Sequence, residues 1–89
     1  MYERSKHPRK GKYLNYEKII LEFLIKQEDD VTAVTIRIHT KISKSSFYEV
    51  LGRLRYYGYV DWIGEPQDWT SFVGITQKGK NYLKKFLLG

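Results

Sequence analysis

From Asn15 to Gln27 the apolar residues recur at helical spacing. Tyr16, Ile19, Ile20, Phe23 and Leu24 share one arc at 100° per residue, which predicts an amphipathic helix. Asn15 suits the N-cap and Glu17 the first turn, and the acidic run Glu28-Asp29-Asp30 with Val31-Thr32 ends the pattern. Leu21 and Ile25 fall outside the arc, either as exposed apolar residues or as a second contact face. Residues 31–42 stay open: Val34, Ile36 and Ile38 alternate as in a strand, while Val34, Ile38 and Ile42 recur as in a helix. The next segment is clearer. Ser43 reads as an N-cap, Phe47, Val50, Leu51 and Leu54 repeat at i, i+3, i+4 and i+7, and Gly58 supplies a left-handed residue just beyond Tyr57. Gly52 inside this helix costs up to about 1 kcal/mol relative to Ala. It points either to a close approach at that position or to plain tolerance.

After Gly58 the texture turns to β. Tyr59-Val60-Asp61-Trp62-Ile63 reads as one strand, Glu65-Pro66-Gln67-Asp68 as a turn, and Trp69 to Ile75 as a second strand. Thr76 caps a last helix with Gly79, Leu83, Phe86 and Leu87 on one face and Lys78, Asn81 and Lys85 on the other. The order predicts a mainly helical α+β fold: helices first, a two-stranded hairpin, then a closing helix.

Composition narrows the function. The 89 residues make one small domain, and a chain of this size buries roughly 60–65% of its unfolded surface. Hydrophobic residues at 42% and aromatics at 16% exceed what a disordered segment carries. Sixteen Lys and Arg against ten Asp and Glu give a net charge of +6, which favours polyanionic partners. That charge is uneven. Arg4, Lys6, Arg9, Lys10 and Lys12 make residues 1–12 a basic, flexible arm ahead of a domain at 13–89, and Lys78, Lys80, Lys84 and Lys85 make the other end basic. The absence of Cys excludes disulfide scaffolds, Cys-ligated zinc and thiol nucleophiles. No apolar run approaches the ~18–20 residues of a membrane span, and no signal-peptide core follows the basic start, so a cytoplasmic location without membrane contact is expected. His39 reads as a structural histidine, and Glu28-Asp29-Asp30 as a loop without the spacing of a calcium site. No nucleophile, base or metal set converges, so neither an enzymatic step, a metal nor a cofactor is expected.

The stretch Ile42-Ser43-Lys44-Ser45-Ser46-Phe47-Tyr48, continuing through Leu51, Leu54, Gly58 and Val60, resembles the recognition-helix segment of winged helix-turn-helix DNA-binding proteins. Val73-Gly74-Ile75-Thr76-Gln77-Lys78-Gly79, continuing to Leu83, resembles the passage from their wing into the last helix. The resemblance covers about residues 15–88 and is nearest to small regulators of the MarR and PadR groups, such as those of thermophilic archaea and their viruses. It implies a three-helix core, a two-stranded wing and a C-terminal helix. Two positions depart from the pattern: Lys41 stands where the turn often has Gly, and Arg37 where a small buried residue is common. The wing departs further, since Asp61, Glu65 and Asp68 come with no Lys or Arg and would oppose a phosphate backbone.

The resemblance therefore carries over to the recognition helix and not to the wing. It implies double-stranded DNA as partner and a regulator acting by operator occupancy, with helix 43–57 in the major groove. Lys44, Ser45, Ser46, Tyr48, Glu49 and Arg53 are the candidate contacts. Tyr48 is suited to phosphate or a thymine methyl, Glu49 to cytosine N4, and Arg53 to phosphate. Arg9, Lys10 and Lys12 of the arm are further candidates, for phosphates or a minor groove. Helix-turn-helix proteins usually bind as two-fold dimers, and Leu21, Ile25, Phe86 and Leu88 are the surplus apolar residues from which a homodimer interface is expected. The rival reading is a winged-helix protein–protein adaptor docking through the acidic wing, residues 61–69, where Trp62 and Trp69 otherwise cross-brace the hairpin.

Overall fold

The computed structural model describes residues 10–64 and 71–87, with the backbone alone at 10–13. Helix α1 (Lys10–Ile25) leads to the two-residue strand β1 (Val31–Thr32), then α2 (Ala33–Thr40), α3 (Lys44–Tyr56), β2 (Val60–Ile63), β3 (Phe72–Ile75) and α4 (Gln77–Tyr82). The chain continues from α4 into a π-helical turn, Leu83–Leu87. The strands form one antiparallel sheet in the order β1-β3-β2. Three helices carrying a β-hairpin and a closing helix are the winged-helix architecture expected from the sequence.

Several local signals act as the sequence implies. Thr32 resolves the ambiguous segment: its hydroxyl accepts from the Thr35 N–H at 3.3 Å and starts a helix where the alternation of Val34, Ile36 and Ile38 also allows a strand. Thr76 caps α4 by accepting from the Gly79 N–H at 3.0 Å. Ser43 occupies the N-cap position of α3 without a side-chain cap bond. Gly58 adopts φ +80 just after Tyr57, in the left-handed region that Gly occupies without penalty.

The first helix differs from its sequence reading in start and orientation. It is already helical at Lys10, five residues before Asn15, because residues 10–14 include none except Gly11 that discourages a helix. Residues 10–12 of the expected arm are thus helical. Its most deeply buried stripe is Glu17, Ile20, Leu21 and Leu24, while Ile19 and Phe23 are only partly covered. The helix packs against α2, α3, β3, α4 and the π-helical turn at once, so its apolar surface wraps more than one arc. Leu21 is accordingly a core residue with no exposure at all, and does not lie at a surface where a dimer could form. Ile25 is partly buried against the same core.

The core residues of α3 are those the helical spacing indicates: Phe47, Val50, Leu51 and Leu54 are all fully buried. At the chain's end the wider π winding turns Phe86 away from the face it was expected to share with Gly79 and Leu83. Leu83 stays in the core, whereas Phe86 is 70% exposed. Val60 and Trp62 point inward from β2, and Asp61 and Ile63 outward. The expected hairpin tip and Trp69 lie outside the described residues, as does Leu88.

Because Leu21 fills the protomer's own core, Leu21→Ala should lower unfolding free energy by about 2–5 kcal/mol. Urea denaturation at two protein concentrations should show the same loss at both. A loss that shrinks on dilution would instead place Leu21 at an interface between copies.

Candidate nucleic-acid interface

Helices α2 and α3 meet through the turn Lys41-Ile42-Ser43. Lys41 ends α2 at φ 59, ψ 24, with its N–H bonded to the Arg37 carbonyl at 2.9 Å. This left-handed residue is where the resemblance leads one to expect Gly, and a Lys there costs roughly 1–2 kcal/mol. Ile42 then plugs the turn into the core, only 6% exposed. The tight turn sets α3 at a fixed angle to α2, with Lys41 and Lys44 both exposed beside it.

The burial of Phe47, Val50, Leu51 and Leu54 leaves the opposite arc of α3 facing outward. At 100° per residue, Ser45, Gly52 and Tyr56 lie within about 40° of one another. Glu49 flanks them on one side, and Lys44, Tyr48 and Arg55 form a stripe on the other. Lys44, Ser45, Glu49, Arg55 and Tyr56 are exposed, while Ser46, Tyr48 and Gly52 are half-buried. Lys44, Ser45, Tyr48 and Glu49 line an open depression at the helix's N-terminal half.

The wing attaches to this face along the Lys44 side. The Val60↔Ile75, Trp62↔Val73 register turns Trp62 inward beneath α3. There the Tyr48 ring stacks on it at 6.4 Å, and the Arg55 guanidinium lies 5.5 Å from its ring centroid. A guanidinium over an indole face is attracted by the ring quadrupole, so Arg55 is held at the junction of helix and wing. Arg55 is not among the residues expected from the sequence. The signal for it is spacing, seven residues after Tyr48 and eleven after Lys44, which returns it to the same stripe.

Arg53 is the principal correction. Expected as a phosphate contact, it is instead 4% exposed and turned inward. Its Nη2 donates to Glu17 Oε2 at 3.1 Å, and the other oxygen, Glu17 Oε1, accepts from the Tyr82 hydroxyl at 2.6 Å. Helices α1, α3 and α4 are thereby tied together by one buried carboxylate. Arg53 turns inward because a charge this deep in the domain requires a partner, and Glu17 stands in the buried stripe of α1 opposite it. A Glu within an otherwise apolar stripe, facing an Arg beside the core positions of another helix, is the legible hint. Burial, and then the bond to Glu17, push the Tyr82 hydroxyl well above the ordinary tyrosine range. The Tyr82 ring also stacks on Tyr59 at 4.1 Å and 5°, and Lys78 lies 5.5 Å over Tyr59.

Among the other candidates, Arg9 lies outside the described residues, and of Lys10 and Lys12 only the backbone, in the first turn of α1, is described. His39 is exposed and stacks on Phe23 at 5.1 Å, a packing role. Asp30 of the acidic run lays its carboxylate against Gly74 of β3, where any side chain would collide with it.

Arg53→Ala would leave the Glu17 carboxylate buried without its cation, and should cost about 3–5 kcal/mol of stability by urea denaturation. Replacing the pair together, Glu17→Gln with Arg53→Met, should recover most of that loss, since Gln keeps an acceptor for Tyr82 and Met fills the space. Equal destabilisation by the single and double variants would contradict the buried pair.

No protein-family model matches the sequence, and no curated protein is similar to it. Solved structures do match. The PcaV transcriptional regulator from Streptomyces coelicolor superposes with a TM-score of 0.69 at 23% identity, over 82% of this chain and 54% of that one. The same regulator with its natural ligand gives 0.68 at 20% identity, over 99% and 75%. A MarR-family transcriptional regulator from Silicibacter pomeroyi gives 0.70 at 19% identity, over 90% and 56%. The chain spans about half the length of two of these three. Its order of helices, the turn before α3 and the hairpin behind it are those of the winged-helix fold that MarR-family transcriptional regulators adopt.

Proposed function

We propose that the protein binds double-stranded DNA sequence-specifically and regulates transcription by occupying its operator, with α3 in the major groove. The observation that carries this reading is the outward arc of α3, where small and polar residues are edged by cations on one side and by Glu49 on the other. Lys41, Lys44 and Arg55 are suited to phosphates, which position the protein, while Ser45, Tyr48 and Glu49 are suited to base edges, which specify the sequence. Ser46, half-buried at the rim, and the basic residues Arg9, Lys10 and Lys12 at the chain's start are proposed as further contacts. The winged-helix fold, shared with transcriptional regulators, supports the reading, as does the net charge of +6. No chemical step and no cofactor enter it. No helix among the described residues is long and apolar enough to cross a membrane, and a cytoplasmic site of action fits operator binding.

One recognition helix spans few base pairs, so the reading includes a homodimer with half-sites roughly 34–36 Å apart. With Leu21 in the core, its surface moves to the chain's end, where Phe86 is 70% exposed and Leu88 follows, together with the partly buried Ile25. A second reading, the protein–protein adaptor, is favoured by one observation. Ile63 and Phe72 stand directly opposite each other on β2 and β3, are 65% and 47% exposed, and lie beside the exposed Asp61.

If about six phosphates are neutralised by a dimer, affinity for duplex DNA should fall on the order of 10³-fold between 50 and 200 mM salt. Lys44→Ala or Arg55→Ala should weaken binding to all sequences alike and flatten that slope by about one for each phosphate no longer neutralised, whereas Ser45→Ala should change which sequence is preferred. Gel shifts and selection from a random duplex pool read both. Absence of binding at low salt would promote the adaptor.

Sedimentation equilibrium at micromolar concentration should find a dimer for the wild type and a monomer for Phe86→Glu. A dimer unaffected by that charge would place the contact elsewhere.

A further inference from the structure

Four other glycines are accounted for by the protein's own fold. Gly58 and Gly64 sit at φ +80 and +105, a Cβ on Gly74 would collide with the Asp30 carboxylate, and one on Gly79 would collide with the Tyr59 carbonyl. Gly52 is different. It lies in the interior of a regular helix, and a Cβ built there meets nothing within 4 Å. Replacing Ala by Gly at such a position destabilises a helix for no intramolecular return, since the backbone loses more freedom and no packing is gained.

Its place on α3 gives the omission a use. Gly52 sits at the middle of the outward arc, one turn beyond Tyr48 and Glu49, with Arg55 and Tyr56 completing the rim. The open depression lined by Lys44, Ser45, Tyr48 and Glu49 lies on the same arc, one turn before it. Long side chains therefore edge the arc, Tyr56 closes its C-terminal end, and between them only Ser45 and Gly52 leave the helix backbone uncovered. Bulky residues on both flanks would hold any flat or convex partner off, except where the centre lets it descend to the backbone.

We propose that Gly52 is the point of closest approach of α3 to the nucleic acid, the position where a base-pair edge or the sugar–phosphate backbone packs against bare helix. This rests on the DNA-binding reading above. Lys44, Tyr48 and Arg55 then close over one side of the approaching duplex and Glu49 over the other. The required property is lack of volume, so any side chain at 52 lifts the helix outward and lengthens the short base-edge contacts beside it, while the long cationic side chains still reach phosphate.

The signature is a gain in stability with a loss in binding. The test uses the full chain and a labelled duplex carrying the sequence that the wild type itself retains from a random pool. Gly52→Ala should raise the thermal midpoint by about 4–8 °C, because Ala is the better helix former by about 1 kcal/mol in a domain of this size. The same variant should weaken binding roughly tenfold or more, as overpacking of a close contact does. Gly52→Gln, still helix-compatible and longer, should weaken it further. The dependence on salt should keep its slope, because no cation is removed. If Gly52→Ala gains stability and binds as the wild type does, the glycine is merely tolerated; the proposal fails and the DNA reading stands. A fall in thermal midpoint would show that the fold itself needs Gly52 and would also overturn it. A variant that changes the oligomeric state would assign the approach to a second copy of the chain, against the proposal. A wild type that retains no duplex overturns both readings.

Discussion

A carboxylate buried in the middle of the domain holds the geometry of its outward surface. Glu17 accepts from Arg53 with one oxygen and from Tyr82 with the other, joining α1, α3 and α4 at one point. Taking two such charges out of water costs several kcal/mol per ion, so the pair adds little net stability over an apolar substitute. Its effect is on arrangement: rotating α3 in place would strand the Arg53 guanidinium or the Glu17 carboxylate in the core, at a cost larger than most repackings. The roll of α3 about its axis is fixed accordingly. With Arg53 inward, Lys44, Tyr48 and Arg55 come to one edge of the exposed arc, Glu49 to the other and Gly52 to its middle.

The wing is joined to that helix by packing. Trp62 is tucked under α3 by the inward turn of β2, and Tyr48 and Arg55 cover its ring. Arg55 therefore combines two roles, covering an aromatic core residue with its guanidinium and presenting positive charge at the edge of the arc. On the far end, Tyr59 stacks on Tyr82, so the start of β2 leans on the same residue that bonds Glu17. Helix, wing and closing helix meet through these two aromatic contacts and one ion pair.

Charge is distributed to match. The exposed cations beside the turn and along α3 are Lys41, Lys44 and Arg55, against Glu49, whereas the outward charged residue of β2 is Asp61. An acidic strand behind a basic helix edge disfavours a duplex lying flat across both. It leaves α3 as the element suited to a polyanion, and the outer face of the hairpin, with Ile63 and Phe72, as a chemically different surface.

The elements and their stops are legible in the chain because the forces behind them are local. Thr76 and Gly58 mark helix boundaries through nearby hydrogen bonding and backbone sterics, and Phe47, Val50, Leu51 and Leu54 mark a core face through their spacing; all of these depend on residues within a few positions of one another. Residues 31–42 stay open on periodicity because both periods fit, and Thr32 decides them by capping. Direction is a different matter and belongs to the assembled domain. Leu21 looks surplus when one arc is assigned to a helix that packs on several sides, and Phe86 looks internal because nothing local announces a π-helical turn. Arg53 looks like a surface cation because its partner stands 36 residues away. Whether a charged or apolar side chain on a helix's flank faces water or core depends on what another element places opposite it, and periodicity within one helix holds no information about that.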